Sequence, residues 1–204
     1  MTPGQPGSGA AGPGADRGEL SYDQFGRRLF ELAVTPERVR DALAGLAGRQ
    51  LAFGPLRVGP ARLIRVSATG SIGAAQVRVI EHEHRAFEVR IPLQLRLIVD
   101  FGLDKGRFTA NVVVHLYPVA RPVAPLAIVL DVPAPTAGQI TVDLRPDGAS
   151  AVLLQRLAPV DREVGKAVAG YVAGKLAEPE FSAARTIDVA KILHRTYTGI
   201  GGEA

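Results

Sequence analysis

The spacing of apolar residues changes period twice along the chain. Helical spacing occurs within residues 22–46, the period changes to two from 51 to about 144, and helical spacing returns after about residue 150. Tyr22, Phe25, Leu29 and Leu32 lie one helical turn apart behind Ser21 and Gln24, which have the spacing of a capping box. Phe30, Leu32 and Val34 also alternate as a strand would, so this segment stays open between the two. Thr35-Pro36-Glu37 is sharper: a capping hydroxyl, a proline at the first helical position and an acid at the positive end of the dipole. The helix that follows should bury Val39, Ala42, Leu43 and Leu46 and end near a left-handed Gly48.

Alternation predicts short β segments at 51–58 and 61–68, separated by Gly59-Pro60. A turn is expected at 70–73, before Ala75, Val77 and Val79 alternate again. The longest run follows. Phe87, Val89, Ile91, Leu93, Leu95, Leu97, Val99 and Phe101 take every second position, opposite Glu88, Arg90, Pro92, Gln94, Arg96, Ile98 and Asp100. Fully extended, residues 85–101 would span roughly 55 Å at ~3.3 Å per residue, so the strand has to curve or break. Pro92, on the polar side, suits a bend or an edge. A turn over 102–106 leads into Phe108, Ala110, Val112, Val114 and Leu116, an antiparallel partner. Residues 126–132 are apolar on both sides except for Asp131, which predicts a strand covered on both faces. Ile140, Val142 and Leu144 make a last alternating strand before Pro146-Asp147-Gly148.

Leu153, Leu157, Val160, Val164, Val168 and Tyr171 then form one helical stripe, restarted or kinked at Pro159. Gly165, Ala169, Gly170, Ala173 and Gly174 reduce its flank to almost nothing, which invites close approach by a sheet or another helix. A short segment around 186–189 and a brief helix through Ile192 and Leu193 close the pattern. The fold class expected is α+β: a long curved antiparallel half-barrel sheet wrapped around a long C-terminal amphipathic helix, with a short N-terminal helix. Residues 19–198 read as one domain between a Gly/Pro-rich flexible tail over 1–18 and a flexible end over 199–204.

Composition narrows the function classes. At 47% hydrophobic residues, 204 positions can fill a core, and no cysteine is present to form a disulfide or a thiolate metal site. The first thirty residues lack a basic then apolar leader and no apolar run reaches about 18 residues, so a cytoplasmic protein without a transmembrane segment is expected. The net charge of +4 is carried by arginine, with lysine only at 105, 166, 175 and 191. That bias matches GC-rich codon usage, and with four tyrosines and seven phenylalanines, most on core faces, there is no stacking platform for bases. Nucleic acid is not the expected partner.

Glu81-His82-Glu83-His84 could chelate a metal on an extended backbone, but its phase against Val79 and Phe87 makes it an exposed hairpin tip. His115 has no carboxylate near it in sequence and reads as structural. Residues 69–73 and 54–59 lack nucleophile-elbow and phosphate-loop spacing and read as turns. No catalytic residue, metal or cofactor is assigned, and an enzyme is not expected. The arginines at 57, 62, 65, 78, 85, 90, 96 and 107 give the sheet a basic outer face, open to peripheral membrane contact or to a partner protein.

The order of elements, with the 85–101 strand, its partner at 108–116, the closing strands to Leu144 and the helix over 151–175, resembles the tubular lipid-binding (TULIP/BPI-like) superfamily. The resemblance is architectural, covers about two thirds of the chain and carries no residue motif; the missing leader departs from secreted bacterial relatives. It implies a lipid or other apolar small molecule held between sheet and helix. The lining would be Phe87, Val89, Leu93, Leu95, Leu97, Phe101, Val112, Val114, Leu157, Val164, Val168 and Tyr171, which could equally fill a solid core. The alternative is an interaction module that forms a homodimer through the less polar outer positions Val113, Tyr117, Ala127 and Val129.

Overall fold

The computed structural model describes residues 18–58, 63–102, 105–148, 158–192 and 194. The chain divides into two compact units, Met1–Ala33 and Val34–Ala204. In the first, the segment open between helix and strand is helix α1 (Tyr22–Ala33). The Ser21 N–H donates to Gln24 Oε1 at 3.0 Å and the Gln24 N–H to Ser21 Oγ at 3.3 Å, so the capping box forms as spaced.

The second unit opens with helix α2 (Pro36–Ala44), whose first turn is capped by Thr35 Oγ1 accepting from the Arg38 N–H. Val39 is buried, Leu43 and Leu46 are half-buried, and Ala42 faces solvent. Among the described residues, nine strands then form one curled antiparallel sheet. In chain order they are β1 (Gln50–Val58), β2 (Ile64–Ile72), β3 (Gln76–Ile80), β4 (Ala86–Asp100), β5 (Lys105–Leu116), β6 (Val119–Val123), β7 (Ala127–Asp131), β8 (Ile140–Pro146) and β9 (Thr186–Asp188). Helices α3 (Ala158–Leu176) and α4 (Pro179–Ala184) lie between β8 and β9 in sequence.

Strand β4 is the axis, fifteen residues long. Along one edge run β2 and β3, which are collinear. Ile72 faces Leu93 and Gln76 faces Arg90, so three residues of one strand answer two of the other, and the join is a β-bulge. This corrects the turn expected at 70–73: residues 70–72 are strand, and the chain passes through 73–75 to rejoin the same edge of β4. Pro92 sits opposite it and accepts from the Gly73 N–H at 2.7 Å. Because N–H and C=O of one strand residue point the same way, the missing donor of Pro92 falls where the ladder is already interrupted. Along the other edge β5 and β6 follow one register, Val89 facing Leu116 and Ala86 facing Val119, bridged by the Phe87 N–H donating to the Pro118 carbonyl. Beyond them the sheet forks: β8 pairs with β5, while β7 and then β9 extend from β6.

The alternation resolves into an inner apolar face and an outer polar one. Phe87, Val89, Leu93, Leu95, Leu97 and Val99 are buried with Phe108, Val112 and Val114 across the ladder. Helix α3 lies against β8 and β1 on that face, with Val160, Val164 and Val168 buried. As described, α3 begins at Ala158, beside Pro159, and the residues before it, with Leu153 and Leu157, lie outside the described residues. Strand β7 departs from expectation: Ile128 is buried, but Ala127, Val129 and Leu130 are only half-covered. It lies near the end of the sheet, where only the three-residue β9 continues the layer.

Candidate functional site

The chain after α2 is tied to the end of β2: the Gly48 N–H donates to the Ile72 carbonyl at 2.8 Å and the Ile72 N–H to the Arg49 carbonyl at 3.0 Å. Gly48, at φ 79°, supplies the left-handed reversal that makes both bonds reachable. This pins the Leu43 and Leu46 side of the chain across from the second half of α3. Between them lies a cleft of about 90 Å³. Its floor is Ile91, Leu93, Val114 and Leu116 from β4 and β5; Tyr171, Val172 and Leu176 of α3 and Phe181 of α4 close the far side. Two cations, Arg49 and Lys175, also line it. Lys175 Nζ donates to Glu178 Oε1 at 2.6 Å and lies 5.9 Å from the centre of the Tyr171 ring. The Glu178 carboxylate raises the Lys175 pKa, and the charge of Arg49 works the other way.

Of the lining expected from sequence, Leu93, Val114 and Tyr171 meet at this cleft. Phe87, Val89, Leu95, Leu97, Val112, Val164 and Val168 are closed into the core, none more than 1% exposed. Phe101 is half-buried just past β4, and Leu157 lies outside the described residues. Leu46, Arg49, Lys175 and Phe181 come from segments more than 120 residues apart, and no local pattern announces that they meet.

The outer face holds a second constellation. Alternation places Glu88 beside Arg90 on the polar side of β4, yet Glu88 is only 4% exposed. Arg78, its cross-strand partner on β3, donates through Nε to Glu88 Oε2, and Arg90 Nε donates to Oε1 at 3.0 Å. His115, opposite Arg90 on β5, brings Nδ1 to 3.4 Å from Oε1. Burial acts to raise the Glu88 pKa, but the bonds from Arg78, Arg90 and His115 outweigh it and hold the carboxyl at about 2. The histidine read as structural therefore does have a carboxylate beside it, delivered by the ladder rather than by sequence proximity. The trace in the sequence was an acid with an arginine two residues on and another ten residues back across the 81–85 hairpin.

Further along the outer face, Gln50, Thr69, Ser71, Gln94, Arg96, Thr109 and Asn111 line an open polar hollow of about 520 Å³. The 81–84 segment is the exposed hairpin tip expected, with His82 Nδ1 accepting from the His84 N–H at 3.0 Å. Among the described residues no cluster of three or more His, Cys, Asp or Glu side chains could hold a metal ion, and no helix is long and apolar enough to cross a membrane. No family model and no curated protein matches the chain.

Proposed function

We propose that this protein binds the apolar part of an anionic amphiphile, such as a fatty acid, in the cleft between α2, α3 and the β4–β5 floor, without catalysing a reaction. The observation that carries this reading is the pairing of almost wholly apolar walls with two cations, Arg49 and Lys175, in one small cleft. Aliphatic side chains provide the transfer free energy for a hydrocarbon segment, and a guanidinium and an ammonium supply partners for its anionic end. At about 90 Å³ the cleft is smaller than the roughly 150 Å³ cavity that admits benzene in an engineered core, so a full acyl chain needs it to widen. Because the chain after α2 is tied to β2, the widening falls to the six-residue α4, which carries Phe181 into the wall. An antiparallel sheet with α3 on its apolar face supports kinship with the tubular lipid-binding superfamily.

Native mass spectrometry during titration with dodecanoate tests the reading. A one-to-one adduct is expected, weakened about tenfold or more by Leu46→Trp, which fills the cleft, and by the pair Arg49→Gln and Lys175→Gln, which removes both cations. Absence of any dodecanoate adduct or co-purified lipid mass would sink it.

A second reading rests on a different observation: Val123 and Leu126, at the β6–β7 turn, are 41% and 49% exposed. Apolar side chains exposed there suit a second copy of the chain. A ligand-free dimer in the same spectra, lost on Leu126→Glu, favours this module over the carrier.

A further inference from the structure

The buried acid on the outer face is not used by the proposed cleft, which lies on the inner face. A carboxylate on the solvent side of a sheet is ordinarily hydrated; Glu88 is instead roofed by side chains from three strands. Both guanidiniums reach it through Nε, and the Arg78 and Arg90 side chains are 66% and 46% exposed above an acid that is almost covered, so part of each guanidinium stays open to solvent. Two permanent positive charges thus meet one negative charge. The residues in register around them on this face, Gln76, Ile80, Pro92 and Val113, are uncharged, and the nearest acids in the chain, Glu81 and Glu83, lie in the exposed 81–84 hairpin tip.

We propose that Arg78, Arg90 and His115 form a binding site for a phosphate group, with Glu88 as the residue that positions them. The donors stand on β3, β4 and β5, neighbouring strands spaced ~4.8 Å apart, and all three converge on the Glu88 carboxylate, which gathers them within reach of one small anion. That arrangement suits a tetrahedral oxyanion with several terminal oxygens better than a flat carboxylate, which a single guanidinium fork already satisfies. Glu88 fixes the orientation of both forks in advance, which spares the rotamer entropy that free surface arginines lose on binding. The phosphate could be carried by a soluble phosphate monoester or by a lipid headgroup; the chemistry at the three donors is the same.

Two-dimensional amide NMR of the full chain at near-physiological salt, titrated with inorganic phosphate, is the direct test, with flotation on phosphatidylcholine vesicles with and without phosphatidic acid as the second arm. Saturable shifts at Arg78, Arg90 and His115 are expected, with affinity falling about tenfold or more in the Arg78→Lys, Arg90→Lys double variant, which keeps a cation at Glu88 but loses the forks. Arg107→Gln, on the same face but away from Glu88, should bind as the parent does. Should the double variant not fold by circular dichroism, the single Arg78→Lys variant decides. Binding confined to vesicles with phosphatidic acid, and lost in the same variants, supports the site and names the headgroup as source. No binding to either probe, or an equal loss in Arg107→Gln, overturns the proposal, leaving the cluster as a clamp between strands or as diffuse charge.

Discussion

Arg90 Nε donates to Glu88 Oε1 at 3.0 Å from two residues further along the same strand, on the face that alternation assigns to solvent. With Arg78 and His115 closing the other sides, Glu88 stays ionised inside a nearly sealed pocket. Its folded pKa of about 2 lies below the ordinary 4.5, so the proton binds more weakly in the folded chain. The stability it contributes is therefore complete above pH 4.5 and is lost as pH falls from there toward 2. Glu88→Gln should lower stability by about 2 kcal/mol at pH 7, the scale of hydrogen bonds to charged groups. In urea denaturation the gap between parent and variant should close as pH drops through that window; a gap that stays constant would contradict the assignment.

Asp161 has the opposite sign. Its Oδ1 is buried and meets no donor among the described residues, and burial first, then the charge of Asp143, raises its pKa above the ordinary 3.8. An acid that holds its proton more tightly when folded costs stability that is full above its raised folded pKa, fades as pH falls from there toward the ordinary 3.8, and is gone below it. Asp161→Asn should accordingly melt at a higher temperature than the parent at pH 7 and at the same temperature near pH 3. A lower melting temperature at pH 7 would show that the charge is balanced by the helix end it occupies.

Gly70 allows β2 to lie against β4 where no other residue could. A Cβ there would stand 1.9 Å from the Gln94 carbonyl oxygen and 2.9 Å from the Leu95 Cα, both backbone atoms that cannot rotate away. At Gly73 the nearest atom, at 2.9 Å, is Cγ of the Pro92 ring, a side chain at an interrupted part of the ladder. Gly70→Ala should thus cost about 3 kcal/mol, at the upper end of overpacking penalties, and Gly73→Ala distinctly less. Chemical denaturation of both variants gives the comparison; equal costs would mean that β2 and β4 can separate freely at Gly70.

Period alone carried much of this fold. The inner face of β4 and β5, the Thr35 cap and the 81–85 hairpin each follow from a few neighbouring residues, so local sequence suffices. Register is another matter. That residues 70–72 run on as strand into a bulge, and that Glu88 is sealed by Arg78 and His115, depends on which residue faces which across β4. The cleft was harder still. Alternation marked Leu93 and Val114 as inward, but whether an inward face is filled depends on how α2 and α3 approach it. At Leu95 and Val112 it is filled, and only near Tyr171 and Leu46 does space remain.

The small residues of α3 separate these levels in one element. Sequence marks Gly165, Ala169, Gly170, Ala173 and Gly174 as a single thin flank, but only Gly165 and Ala169 are buried. A Cβ at Gly165 would lie 3.9 Å from the Ala137 carbonyl oxygen and 4.0 Å from Ile140 Cβ and Val142 Cγ2, ordinary contact distances, whereas Gly170 and Gly174 have nothing within 4 Å. Alanine therefore fits at all three, and each change should stabilise by up to about 1 kcal/mol through helix propensity. Leucine distinguishes them. At Gly170 or Gly174 it projects into open space and keeps most of the gain, while at Gly165 it must push α3 away from β8, with a cost of about 1–3 kcal/mol. Thermal melts of the Ala and Leu pair at Gly165 and Gly174 make the comparison. If Gly165→Leu were as stable as Gly174→Leu, the contact between α3 and β8 would not be the close packing seen at Ile140 and Val142.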